Sequence, residues 1–282
     1  AFCPLTYATG AAWGQVDAIP ALLMLLVVLY AMDGRWIAAL PLYTLAVLVK
    51  PQALMFGPIG LAAAVCEFIW HDDKKTLKSF LWGLSISLAL AAVVAVPFMI
   101  RMEQPIQWLV SLYAGTMTFY SHATVNAANL FFLFGKNWVS TGEPAAFLLR
   151  LTGSLTVAIP VIIHLLKRKM AWKRGLTVSQ PDAVPTLLAL SCLALPIICA
   201  IVPMSMSLMG TLLMVSVFFI TIVQYWFGRQ ISNLPLSGAI MLIAFCSLGV
   251  MMHERYAFMA VALLVMAYAH RRDRRIFFLM LL

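Results

Sequence analysis

The sequence predicts an all-α integral membrane protein, a polytopic transmembrane helical bundle of about nine spans plus a truncated tenth, forming one domain over residues 1–282. Three observations carry that expectation. Hydrophobic residues make up 63% of the chain and charged residues 10%, against roughly half and a quarter in soluble domains; mean hydropathy is +0.97. Apolar runs of about 17 to 25 residues recur, the length a helix needs to cross a hydrocarbon core and too long for barrel strands. The 19 Lys and Arg sit in short clusters between those runs. That placement explains the net charge of +9 by the bias of basic residues toward the cytoplasm and removes a nucleic-acid reading.

Taken in order, the runs place spans near 16–32, 36–50, 52–70, 80–100, 145–166, 185–202, 206–227, 236–252 and 256–270, with a tenth beginning at 276. Alternation sorts the connections into two sets. One holds Arg35, HDDKKTLK (71–78), KRKMAWKR (167–174), Arg229 and RRDRR (271–275). The other holds the N-terminal segment, the joint at Lys50, the loop 101–144, the turn near Pro203 and HERY (253–256). Fourteen Lys and Arg fall in the first set and five in the second (Lys50, Arg101, Lys136, Arg150 just inside a span, and Arg255), so the first set faces the cytoplasm.

Within the outer loop 101–144, Ile106, Leu109, Val110, Tyr113 and Met117 recur at helical spacing beside Trp108 and predict an amphipathic helix lying in the interface. The following SHATVNAANLFFLFGKNW is too broken to span, and its Asn126, Asn129 and Asn137 lack a glycosylation sequon. The five cysteines, Cys3, Cys66, Cys192, Cys199 and Cys246, show no CxxC spacing and read as small core residues. His164 and His270 adjoin basic clusters and read as interfacial.

Four blocks with polar content emerge on the outer side: WGQVD (13–17), VKPQ (49–52), the long loop and HERY. The carboxylates there are Asp17, Glu103, Glu143 and Glu254. Asp17 and Glu254 stand at span ends, where an ionisable group is costly and points to function, although a charge can also simply reach the headgroups. On a helix Trp13 and Asp17 share a face and can shape a sugar-sized pocket. Lys50 precedes a helix-breaking proline and needs an anionic partner, either a lipid phosphate in a site or any headgroup. Arg255 can grip a phosphate with its planar fork, or pair within a tight turn. HERY is not HExxH, so the sequence assigns no metal ligand, and phosphate-loop, dinucleotide and GxSxG signatures are missing.

WGQVDAIPALL, VKPQALMFGP, YSHATVNAANLFFLFGKNW and MMHERYAF, in this order over residues 11–258, resemble the GT-C superfamily of membrane glycosyltransferases. The closest likeness is to bacterial relatives of the second mannosyltransferase of GPI-anchor synthesis. The resemblance implies inverting transfer of a mannose-like hexose from a polyprenyl-phosphate sugar to an acceptor hydroxyl (of a lipid, glycan or protein) on the extracytoplasmic face of a bacterial cytoplasmic membrane. In that chemistry the acceptor oxygen attacks the anomeric carbon, a carboxylate takes its proton, and the lipid phosphate leaves with the bonding electrons. Lys50, His253 and Arg255 suit the donor phosphate. Trp13, Gln15, Asp17, Asn126, Glu254 and Tyr256 suit the sugar or acceptor.

The family's usual catalytic Asp lies in its first outer loop, several spans before a block like WGQVD. It is therefore expected upstream of Ala1, with Asp17 a second acidic group that orients substrate or binds a divalent metal. No cofactor is otherwise implied. The opening AFCPLTY has no Met and the closing RIFFLMLL begins another apolar run, so the chain is expected to be an internal piece of a longer protein. Two other readings fit the same composition: a transporter or flippase of lipid-linked sugars, and a membrane polysaccharide polymerase. Transporters gather substrate groups near the bilayer midplane, whereas the polar blocks here crowd one side.

Overall fold

The computed structural model describes residues 16–71, 74–118, 121–174, 187–188, 190–228 and 230–281. They are helical almost throughout: α1 (Ala18–Met32), α2 (Trp36–Val49), a 3-10 turn (Pro51–Phe56), α3 (Gly57–His71), α4 (Lys74–Met99), α5 (Pro105–Thr118), β1 (Thr124–Val125), α6 (Leu130–Leu133) and α7 (Phe147–Lys173). Then follow α8 (Ala194–Ile201), α9 (Met206–Gly228), α10 (Leu234–Leu248), β2 (Met252–His253), a 3-10 turn (Glu254–Ala257), α11 (Phe258–Arg271) and α12 (Arg274–Leu281). The chain is thus an all-α protein, with two short strands that the hydropathy pattern gives no reason to expect.

Among the described residues, five stretches are long and apolar enough to cross a membrane: Pro51–Ile69, Lys74–Met99, Phe147–Lys167, Met206–Gly228 and Ile231–Leu248. α1 and α2, apolar as the sequence requires, have 15 and 14 residues. At about 1.5 Å per residue each falls short of a core about 30 Å thick. Polar punctuation ends them. α1 stops in a Schellman motif, with Gly34 at φ +71° and the Arg35 and Gly34 amides donating to Tyr30 and Ala31 carbonyls at 2.8 and 3.0 Å. α2 stops at Lys50, which is extended because Pro51 follows. Of the expected span 185–202, the described residues are helical at 187–188, at 190–191 and over α8.

The chain divides into two compact units, Ala1–Tyr120 with Arg229–Ile243 and Arg255–Leu282, and Ser121–Gly228 with Ala244–Glu254. In the first, α2 packs on α1 and α4, and α11 packs on α1. α4 inverts the soluble-protein pattern: it buries Thr76, Gly83 and Ser87 while Leu88, Val93 and Phe98 are 64%, 70% and 63% exposed. Small residues meet the neighbouring helix and large apolar ones face outward, as lipid contact demands. A Cβ at Gly83 would collide with the Trp36 carbonyl oxygen, so only glycine lets α4 lie this close to the start of α2. α5 forms where the loop spacing predicts a helix, and its Ile106 and Val110 are exposed.

The second unit packs α7 against α8, α9 and α6. Its core is built on Phe131, Leu149, Cys199, Met206, Met209 and Leu213. Cys66, Cys199 and Cys246 are buried thiols and Cys192 is partly buried, the small-residue role the spacing predicts; Cys3 lies outside the described residues. In the first unit α11 ends at Arg272, left-handed at φ +53°. There Asp273 caps α12, accepting from the Arg275 amide at 2.9 Å and from its guanidinium at 2.6 Å. These bonds hold the Asp273 carboxyl well below its ordinary value, at about 2.

Candidate functional site

Two antiparallel helices of nearly equal length joined by a tight turn bring the start of the first beside the end of the second. That geometry sets Asp17, at the head of α1, against Lys50, at the foot of α2. Asp17 is 3% exposed, and its Oδ1 accepts a hydrogen bond from Lys50 Nζ in a buried ion pair. Both charges suit the helix dipoles, the carboxylate at a positive N-terminal end and the ammonium at a negative C-terminal end. The anion that Lys50 requires is therefore supplied from within the chain. Lys50 Nζ also lies 5.4 Å from the centre of the Tyr256 ring, a cation–π contact.

The same cluster holds unspent hydrogen-bonding capacity. Among the described residues, Asp17 Oδ2 and Gln52 Oε1 are buried acceptors without a partner, and Arg255 Nε is a buried donor without one. Gln52 lies two residues from Lys50 and Arg255 next to Tyr256 in the chain; buried polar atoms are normally satisfied by protein or water, so these three have capacity for a further hydrogen-bond partner. Gln52 is a residue that sequence reasoning passed over; its only signal is membership of the VKPQ block. Trp13 and Gln15 lie outside the described residues, as does the Glu254 side chain.

In the second unit, β1 and β2 pair in parallel, Thr124 opposite Met252 and Val125 opposite His253, and Asn126 bridges to His253. The long loop and the His253 end of HERY are thus joined by backbone. Asn126 is left-handed at φ +56°, a conformation asparagine tolerates. Its amide donates to Asn137 Oδ1 and its Oδ1 accepts from Asn137 Nδ2, both at 2.9 Å. His253 is 7% exposed, while Asn126 stays exposed. Of the other carboxylates that the sequence leads one to expect on the outer side, Glu103 is exposed and Glu143 pairs with Lys136 at 4.0 Å.

No family model, curated protein or solved structure matches the chain. Its chemistry therefore rests on its own residues. Among those described, no three His, Cys, Asp or Glu side chains come together as metal ligands. What the first unit offers is a carboxylate with one oxygen committed to an ammonium and the other open, an aromatic face beside that ammonium, and a guanidinium nitrogen still to be bonded. Such a set can accept a hydrogen bond from a hydroxyl and hold an anionic oxygen at once.

Proposed function

We propose that the protein is a membrane glycosyltransferase that moves a mannose-like hexose from a polyprenyl-phosphate donor to an acceptor hydroxyl. One observation carries the reading: the buried Asp17–Lys50–Tyr256 cluster, whose neighbours Gln52 and Arg255 keep open hydrogen-bonding positions. In this reading Asp17 Oδ2 and Gln52 Oε1 receive sugar or acceptor hydroxyls. Lys50, held by Asp17, and Arg255 draw the negative charge that builds on the departing phosphate. The Tyr256 ring fixes the Lys50 ammonium. In this reading α1, α2, α11 and the segment near 185–202 join the five long apolar stretches to make a bundle of about nine spans, with the basic clusters cytoplasmic and this cluster on the outer face.

The test is sugar transfer by the membrane-inserted protein given polyprenyl-phosphate mannose and a mixture of glycan and lipid acceptors. Arg255→Ala is expected to lower the rate about a hundredfold with unchanged membrane insertion. A wild-type rate in that variant removes Arg255 from the site. Movement of the intact lipid-linked sugar across the bilayer without transfer makes the protein a flippase.

A further inference from the structure

The first turns of α7 carry hydrogen-bond donors that the chain does not use. Arg150 is 7% exposed, and its Nε and Nη1 have no hydrogen-bond partner among the described residues. Ser154, one turn further along the same face, is 5% exposed and its Oγ is equally unpartnered. Asn129, 4% exposed, spends its Oδ1 on the Phe132 amide at 3.1 Å, which leaves Nδ2 buried without a partner. Asn129 caps α6, and α6 packs against α7. Beside Arg150 and Ser154 on the helix is Gly153, and the Leu213 and Leu130 side chains come within 2.7 and 2.8 Å of where a Cβ at Gly153 would be.

The chemistry of the three groups agrees. A guanidinium stays charged, no carboxylate among the described residues pairs with Arg150, and a buried charge without a counter-charge is among the costliest arrangements in a protein. Guanidinium and amide N–H groups only donate, and the hydroxyl can donate too. The missing partner is an anion rich in acceptor oxygens. A phosphate fits, because two of its oxygens match the guanidinium fork and others remain for the hydroxyl and the amide.

We propose that Arg150, Ser154 and Asn129 form a buried binding site for a phosphate group, carried by a lipid headgroup or as free phosphate. The site needs only binding and does not rest on the transferase reading.

The experiment uses the purified full chain, stripped of lipid in neutral detergent. Inorganic phosphate is titrated at constant ionic strength with chloride as control. In parallel the protein is reconstituted with phosphatidylglycerol or with a phosphate-free galactosyl diacylglycerol. Thermal unfolding and native mass spectrometry of retained ligand are the readouts. Expected are a saturable rise in Tm with a phosphate-bearing ligand, binding weaker by roughly thirtyfold in Arg150→Gln and by about fivefold in Ser154→Ala. Arg150→Lys, which keeps the charge and so guards against misfolding, is expected to bind with intermediate strength. Protection by inorganic phosphate identifies the free ion as sufficient, and protection by phosphatidylglycerol alone assigns the headgroup. The proposal is overturned if neither raises the Tm of the wild type, or if Arg150→Lys and Ser154→Ala bind as the wild type does.

Discussion

Lys50 in the first unit and Arg150 in the second are both basic side chains withdrawn from solvent. Lys50 is met by Asp17 and by the Tyr256 ring; Arg150 finds no hydrogen-bond partner for Nε or Nη1 among the described residues. The difference follows from what lies across from each. A tight turn and two matched helices deliver a carboxylate to Lys50, whereas α7 enters an apolar core that contains Leu149, Met206 and Leu213. The first cation is part of the fold. The second waits for something the fold does not supply.

The sharpest way to break that comparison is Lys50→Met, which strands Asp17 in the interior. Removing one partner of a buried pair costs about 3–5 kcal/mol, and Asp17→Leu added to it is expected to restore most of the loss. Unfolding in detergent of the two single variants and the double variant decides it. Equal stability of Lys50→Met and the double variant would mean that the pair does not hold the helices.

Gly83→Ala comes next. The new methyl meets the Trp36 carbonyl oxygen and pushes α4 from α2, at about 1–3 kcal/mol. Gly115→Ala in α5, where nothing lies within 4 Å, is the control and is expected to be neutral or slightly stabilising. Tyr256→Leu tests the third member of the cluster, with an expected loss of about 0.5–2 kcal/mol that Tyr256→Phe largely avoids.

The smallest effect belongs to an exposed pair, Asp273 with Arg275, which serves as the solvent-screened reference for the buried one. The folded Asp273 carboxyl, at about 2, lies below the ordinary 3.8. Its contribution is thus complete above about pH 4 and is lost as pH falls through about 2. Amide-exchange protection of α12, corrected for intrinsic rates, should fall over that window, and Asp273→Asn should flatten the dependence.

Much of the helical fold is legible in the sequence because its signal is local. Apolar runs found α1, α2, α4, α7, α9, α10 and α11 to within a few residues, with the main errors at the N-terminus of α4 and the C-termini of α7 and α10. At α1 and α2 the runs 16–32 and 36–50 overshoot by two residues and one, since they count Val16, Asp17 and Lys50, which flank the helices without continuing them. The candidate site was half legible. Asp17, Lys50, Arg255 and Tyr256 stand out as polar groups beside apolar runs, but no pattern announces that Asp17 and Lys50, 33 residues apart, are partners. Gln52 shows only as a member of the VKPQ block, Asn129 only as one of three loop asparagines and Ser154 not at all, because an unspent hydrogen bond is a property of packing. Arg150 was visible only as a cation just inside a span.

The two-residue β1–β2 pair has a consequence for how the protein is made. Asp17 can find Lys50 as soon as the first two helices exist. Thr124, by contrast, pairs with Met252 and Val125 with His253, so this closure must wait until Met252 and His253 have been synthesised. Contacts between distant parts of a chain carry the larger loop-closure cost and form late. The polar loop therefore closes after α7, α9 and α10 have been made, and without Met252 and His253 β1 would keep an open edge.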